Sequence, residues 1–106
     1  MLIVPIKSLA SQTSTVQLSG QTTQINIYQK GTGLFVDIYV DNELVIGGVI
    51  AQNFNWIVRY DYLGFLGDLV FYDTQGNDDP VYTGLGTRWI LYYLTPAEVA
   101  AFVGTA

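Results

Sequence analysis

Asp73, Asn77, Asp78 and Asp79 gather around Gly76, and these side chains carry the densest set of oxygen ligands in the chain. A calcium ion takes about six to eight oxygens, and this stretch supplies several. The spacing is not that of an EF-hand, whose ligands alternate along the loop and end in a distant glutamate. Asp and Asn also close β-turns by bonding their own backbone, so Asp73–Pro80 reads as a long turn. Paired carboxylates can hydrolyse glycosides. Here Glu43 stands at a hairpin turn and Glu98 at a helix start, both of them ordinary solvated positions. Gly31–Thr32–Gly33 and Gly84–Leu85–Gly86–Thr87 are glycine-rich. They lack the phosphate-loop spacing with its lysine, and neither leads into an amphipathic helix. The chain has no histidine and no cysteine. That excludes Cys/His zinc sites and nucleophiles activated by an imidazole. No residue is assigned as catalytic, cofactor-binding or metal-binding.

The elements that carry these residues follow from alternation and turn chemistry. Leu2–Ile6 is a short apolar strand, kept at an edge by Pro5, which has no N–H for a ladder. Ser8–Ser14 reads as a polar connector. Thr15–Ser19 and Thr22–Gln29 alternate with period two around a turn at Gly20–Gln21. Ile25 and Ile27 share one face, and Gln24, Asn26 and Tyr28 the other. After a turn at Lys30–Gly33, Leu34–Val40 places Val36, Ile38 and Val40 opposite Phe35, Asp37 and Tyr39. Asp41–Asn42 signals a two-residue turn, and Glu43–Ala51 returns as its partner. Gly47–Gly48 inside that return suggests a bulge or a bend. Trp56–Val58 reads as irregular or strand-like, and Tyr62–Gly67 as an apolar loop. Leu69–Tyr72 and Trp89–Leu94 close the chain as two strands. Thr95–Pro96–Ala97–Glu98 carries the signature of a capped helix start, with the helix running to Gly104. The expected fold is all-β: a small antiparallel barrel or sandwich of about seven short strands with a short C-terminal helix. A length of 106 residues fits a single domain spanning 1–106, with 95–104 as a helical extension.

Composition bears on partners. Half of the residues are hydrophobic and only 12% are charged, against about 25% in average soluble domains. Such a surface suits contact with other protein. The net charge is −5, and the four cations, Lys7, Lys30, Arg59 and Arg88, are scattered. Nucleic-acid binding needs clustered cations, so no nucleic-acid contact is required. The longest apolar run, Leu44–Ala51, is far below the roughly 20 residues of a membrane helix, and no membrane association is expected. Without cysteine, the redox compartment cannot be read.

Five Phe, eight Tyr and two Trp give the chain fifteen aromatic residues. Tyr and Trp bury large areas while keeping a polar handle, which suits interfaces. Tyr60, Tyr62, Tyr72, Tyr82, Tyr92 and Tyr93 are the candidates for such a role or for a sugar site. Tyr60, Tyr62, Phe65 and Leu66 around the apolar loop, with Tyr82, Arg88 and Tyr93 around the closing hairpin, are the expected interface residues. Arg88 has three possible partners: Asp68, Asp73 or a neighbouring protein.

The run Leu44–Val45–Ile46–Gly47–Gly48–Val49–Ile50 is followed in order by Tyr60, Gly67–Asp68–Leu69, Asp73–x–x–Gly76 and Pro80. Leu85–Gly86–Thr87–Arg88 and Leu91–Tyr92–Tyr93 complete the series. In order and over roughly residues 1–95, it resembles the small baseplate plug proteins of contractile-tailed bacteriophages. The chain departs from that pattern in its low charge and in the helical end Pro96–Ala106. The resemblance implies a non-enzymatic virion protein, made in the bacterial host cytoplasm and placed in the tail baseplate at the end of the tail tube. Its partners would be other baseplate, hub, spike and tail-tube proteins. Packing around the tail axis implies a homo-oligomer of three or six copies. A different reading of the same residues is a small β-barrel binding module for carbohydrate or peptide, with Trp89 or Trp56 as its platform.

Overall fold

The computed structural model describes residues 2–53, 55–58 and 65–104, the last three by backbone alone. The described residues form seven strands: β1 (Leu2–Val4), β2 (Ser11–Leu18), β3 (Gln21–Lys30), β4 (Gly33–Val40), β5 (Glu43–Ile50), β6 (Asp68–Asp73) and β7 (Trp89–Leu94). A 3-10 turn, Tyr82–Gly84, precedes β7, and helix α1 (Pro96–Gly104) follows it. The strands form two antiparallel sheets, β1-β7-β6 and β2-β3-β4-β5. They face each other as a sandwich and do not close into a barrel.

The second sheet is a meander whose turns are set locally. Ser19 and Gly20 join β2 to β3 with φ of 50° and 78°, and Asp41 and Asn42 join β4 to β5 with φ of 50° and 68°. Both pairs lie in the left-handed region that two-residue hairpin turns need to match strand twist. The first turn falls one residue earlier than expected, because Leu18 pairs with Gln21. β2 also begins earlier, at Ser11. Ser11–Ser14 has no apolar alternation to mark it, yet the long β3 offers backbone partners from Tyr28 to Ile25.

The expected irregularity at Gly47–Gly48 is a bulge. Val36 pairs with Val49 and Ile38 with Ile46, so Asp37 alone lies opposite both glycines. The Asp37 carboxylate fills the gap. It accepts the Gly48 amide at 2.7 Å and the Tyr28 hydroxyl at 2.9 Å. Burial, and then the bond to Asp37, push the Tyr28 phenol above its ordinary range.

Alternate residues of both sheets meet in the core. Val4, Leu69, Phe71, Leu91 and Tyr93 come from the first sheet, and Leu18, Ile25, Ile27, Leu34, Val36 and Ile38 from the second. Full burial of each such side chain contributes about 1.5–3 kcal/mol. The segment before β6 is irregular, with isolated bridges Asn53–Phe71 and Trp56–Val70 lying along β6.

The helix start is a capping box. Glu98 N donates to Thr95 Oγ1 at 3.3 Å, and Thr95 N donates to Glu98 Oε1 at 3.0 Å. Thr95→Ala should therefore destabilise the protein by about 1 kcal/mol. In a hydrogen-exchange measurement, the loss should appear as faster exchange confined to the first turn of α1.

Candidate functional site: the acidic turn and the outer face of the closing hairpin

The turn between β6 and β7 is built inward around Asp73. Arg88 grips its carboxylate with both ends of the fork, Nε to Oδ1 and Nη2 to Oδ2, each at 2.8 Å. The amides of Gln75 and Asp78 donate to the same carboxylate at 2.9 Å each. The Asp73 side chain is fully buried, while that of Arg88 is 29% exposed. Arg88 Nη2 also reaches Asp78 Oδ2 at 2.8 Å. The two hydrogen bonds from Arg88 hold the Asp73 carboxyl well below the usual carboxylate range. Burial opposes this, and the Gln75 and Asp78 amides reinforce it. The same pairing pushes the guanidinium of Arg88 further up. A planar fork on a carboxylate is the strongest pairing geometry available to these groups. Its place is fixed by the hairpin register, in which Asp73 pairs with Trp89 and the Thr74 amide donates to the Arg88 carbonyl at 2.9 Å.

The rest of the turn is tied down as well. Asp79 Oδ1 accepts the Asn53 amide at 3.0 Å, and Asn53 Oδ1 accepts the Asp73 amide at 2.8 Å. Trp89 Nε1 donates to the Asp78 carbonyl at 3.0 Å, and the Arg88 guanidinium lies 4.5 Å from the Trp89 ring centre. Gly84 packs on that ring so closely that a Cβ there would sit 2.4 Å from Cζ3. Gly84 thus backs the Trp89 ring, and Arg88 lies between that ring and the buried Asp73 carboxylate. Among the described residues no group of three or more Asp, Glu, His or Cys side chains is arranged to hold a metal ion. Asp73 and Asp78 turn carboxylate oxygens onto Arg88, and Asp73 and Asp79 accept backbone amides.

Of the two aspartates expected as partners of Arg88, Asp73 is the one it meets, and Asp78, which was not expected, is a second. Asp68 is buried elsewhere, with Oδ1 accepting the amides of Val58 and Leu69 at 2.8 and 2.7 Å.

The expected interface residues do not share one surface. Tyr60 and Tyr62 lie outside the described residues. Phe65 is 1% exposed and Tyr93 3%. Their rings meet edge to face at 5.8 Å inside the core, so these two side chains pack within the chain and do not face a neighbour. The Tyr93 hydroxyl donates to the Leu66 carbonyl, and the Leu66 amide donates to Gln21 Oε1 at 2.9 Å. This pins the end of the apolar loop and leaves the Leu66 side chain outward, 47% exposed. Tyr82 is half-buried against the core.

The outward aromatic residues of the hairpin are Tyr72 and Tyr92, whose ring centres lie 6.5 Å apart. Ile3 pairs with Tyr92, Tyr92 with Val70, and Ile90 with Tyr72. These five residues share the outer face of the β1-β7-β6 sheet, and none carries a charge. Ile3 is 58% exposed and Tyr72 41%. Parity distinguishes them from Tyr93, which shares its side of β7 with Trp89 and Leu91.

A family model described as Cyanophage baseplate Pam3 plug gp18 matches residues 1–96. The chain belongs to this baseplate plug family. The matched region takes in both sheets and the Asp73–Arg88 cluster, and it ends at the first residue of α1. No curated protein matches the chain. Within the matched region, the acidic turn is held by Arg88 and by backbone amides, and Ile3 and Tyr72 stand exposed on the outer face of the first sheet.

Proposed function

We propose that this chain is a non-enzymatic structural protein of a phage tail baseplate, acting through protein–protein contacts as a plug or hub component at the end of the tail tube. The observation that carries this reading is the outer face of the β1-β7-β6 sheet, with Ile3, Tyr72, Ile90 and Tyr92 around the Trp56-bridged and buried Val70, in a chain that belongs to a baseplate plug family. Contact with hub, spike and tail-tube proteins would cover that face, together with Leu66 and Tyr82. Tyr60 and Tyr62 are proposed to join the same contacts. Three or six copies around the tail axis are the expected arrangement, in a virion assembled from protein made in the host cytoplasm. The alternative of a carbohydrate or peptide module finds little support in the tryptophans. Trp89 is buried against Gly84 and Arg88, and Trp56 is half-buried and bridged to Val70.

Tyr72→Asp tests the reading, because Tyr72 is exposed and its change leaves the core intact. The variant should keep the thermal stability of the wild type within roughly 1 kcal/mol. Supplied in trans to a phage lacking its own plug gene, it should fail to enter tails, and infectious titre should drop by at least about tenfold. Wild-type titre with the variant incorporated would overturn this assignment of the contact surface.

A further inference from the structure

The two ends of the four-stranded sheet are finished differently. β5 is broken by the bulge at Gly47–Gly48 and by a second register shift near Tyr39. Bulges twist an edge away from further pairing. β2, at the other end, pairs with β3 through eight consecutive residues without interruption. It contains no proline and no charge, the usual devices that blunt an edge.

Among the described residues, the register leaves one set of β2 backbone groups without a strand partner. The Gln29 amide donates to the Ala10 carbonyl, which fixes the phase of the ladder. Gln12, Ser14, Val16 and Leu18 therefore exchange their backbone bonds with β3, and the amides and carbonyls of Ser11, Thr13, Thr15 and Gln17 point to the open edge.

We propose that this edge is covered by β2 of a second copy, paired antiparallel about a two-fold axis through Ser14. Three features select a second copy over an unrelated strand. From Ser8 to Gln29 the chain has no charged side chain, although its net charge is −5. Two identical acidic chains therefore meet here without like charges facing each other. The outward row Ser11, Thr13, Thr15 and Gln17 consists of hydroxyls and an amide; Thr13 and Gln17 each donate to β3, at Asn26 and Thr22, and keep acceptor capacity, so the row still offers both donors and acceptors to a copy of itself. A two-fold through Ser14 sets Thr13 against the partner's Thr15 and Ser11 against the partner's Gln17. All four free residues then fall in hydrogen-bonded pairs, about eight inter-chain backbone bonds in total. The partner's Leu18 and the turn after it would come to Ala10, beside a groove of about 420 Å³ lined by Pro5, Ile6, Lys7, Leu9, Gln12, Thr13 and Ser14.

A two-fold contact is isologous and cannot repeat around a single tail axis. The pairing belongs to the free protein, where it protects an edge open to aggregation, and it must open when copies are placed around one axis.

Sedimentation velocity on the full chain tests this. The wild type should move from its monomer mass of 11.7 kDa to twice that as concentration rises through the micromolar range. Amides of Ser11, Thr13, Thr15 and Gln17 should gain hydrogen-exchange protection over the same range. Thr15→Pro removes one N–H from the open edge, where proline is tolerated within a sheet. Thr13→Lys places like charges on both sides of the axis. Each should weaken association by at least about tenfold, with unchanged circular dichroism. A wild type that stays monomeric to about millimolar concentration would overturn the proposal. So would any oligomer that both variants leave intact. Neither result bears on whether Tyr72→Asp blocks entry into tails.

Discussion

Replacing Asp73 by Asn should lower the melting temperature at neutral pH by on the order of 10 °C, and should flatten the loss of stability in acid. The side chain is fully buried and accepts four hydrogen bonds, two from Arg88 and one each from the amides of Gln75 and Asp78. Asn keeps the shape but loses the charge, and its amide nitrogen faces donors. Arg88 is left with Asp78, which is largely in solvent. The pH dependence follows from the depressed carboxyl of the folded state. Above the unfolded value of about 4, Asp73 is ionised in both states and its contribution is fully present. As pH falls from there toward the folded value, the unfolded chain takes up a proton that the folded chain refuses, and that contribution is lost. Denaturation curves from pH 6 to 2 should thus show the wild type falling more steeply than Asp73→Asn below about pH 4. Parallel curves would mean that the Arg88 fork does not hold the carboxyl down. An Arg88→Met partner variant completes a double-mutant cycle, and a coupling near zero would refute the pairing as a source of stability.

Among the described glycines, Gly67 has the closest contact to a would-be Cβ, and Gly67→Ala should cost at least roughly 3 kcal/mol. Gly67 has φ of 95°, and a Cβ there would stand 2.2 Å from the Leu94 carbonyl oxygen and 2.8 Å from the Tyr93 hydroxyl. The first of these is backbone and cannot swing aside. Relief would require moving the start of β6 away from the end of β7, where Asp68 pairs with Leu94. The Tyr93–Leu66 bond and the Phe65–Tyr93 contact would open with it. Two controls separate clash from backbone strain. Gly20 has φ of 78° with nothing near its Cβ, so Gly20→Ala should cost only about 1–2 kcal/mol. Gly31 has open space and an ordinary φ, so Gly31→Ala should be neutral or gain up to about 1 kcal/mol. Thermal melts of the three variants should rank them Gly67, Gly20, Gly31 from most to least damaged. A Gly67→Ala protein as stable as Gly20→Ala would show that the hairpin yields and that the loop end is not fixed as described.

Much of the meander was legible because its instructions are local. Period-two alternation assigns Ile25, Ile27, Val36 and Ile38 to the core, and two adjacent residues of turn type place Asp41–Asn42. The capping box needs only Thr95 and Glu98. β2 shows the limit of this reading. Its first half carries Ser, Gln and Thr on both faces, so only the length of β3 reveals that Ser11–Ser14 is a strand. The candidate site was less legible. A cluster of Asp and Asn names a turn but does not say which way its carboxylates face. Chemical type alone groups Tyr93 with the candidate interface tyrosines, whereas its parity with Trp89 and Leu91 points it inward.

From the sequence alone follow the all-β class, the hairpins of the meander, the capped helix, and the absence of imidazole and thiol chemistry. The ordered series of strand and turn residues from Leu44 to Tyr93 also sufficed to indicate the baseplate plug family. Tertiary structure alone decided that Arg88 meets Asp73 and Asp78, that β1 closes the first sheet against β7 from the far end of the chain, and that Tyr72 and Tyr92 form the outer face. The division has a physical cause. Turn type, capping and alternation are set by residues a few positions apart. The partner of a strand or a buried charge is chosen by packing across the whole fold, and in this acidic turn that choice sets the Asp73 carboxylate on Arg88.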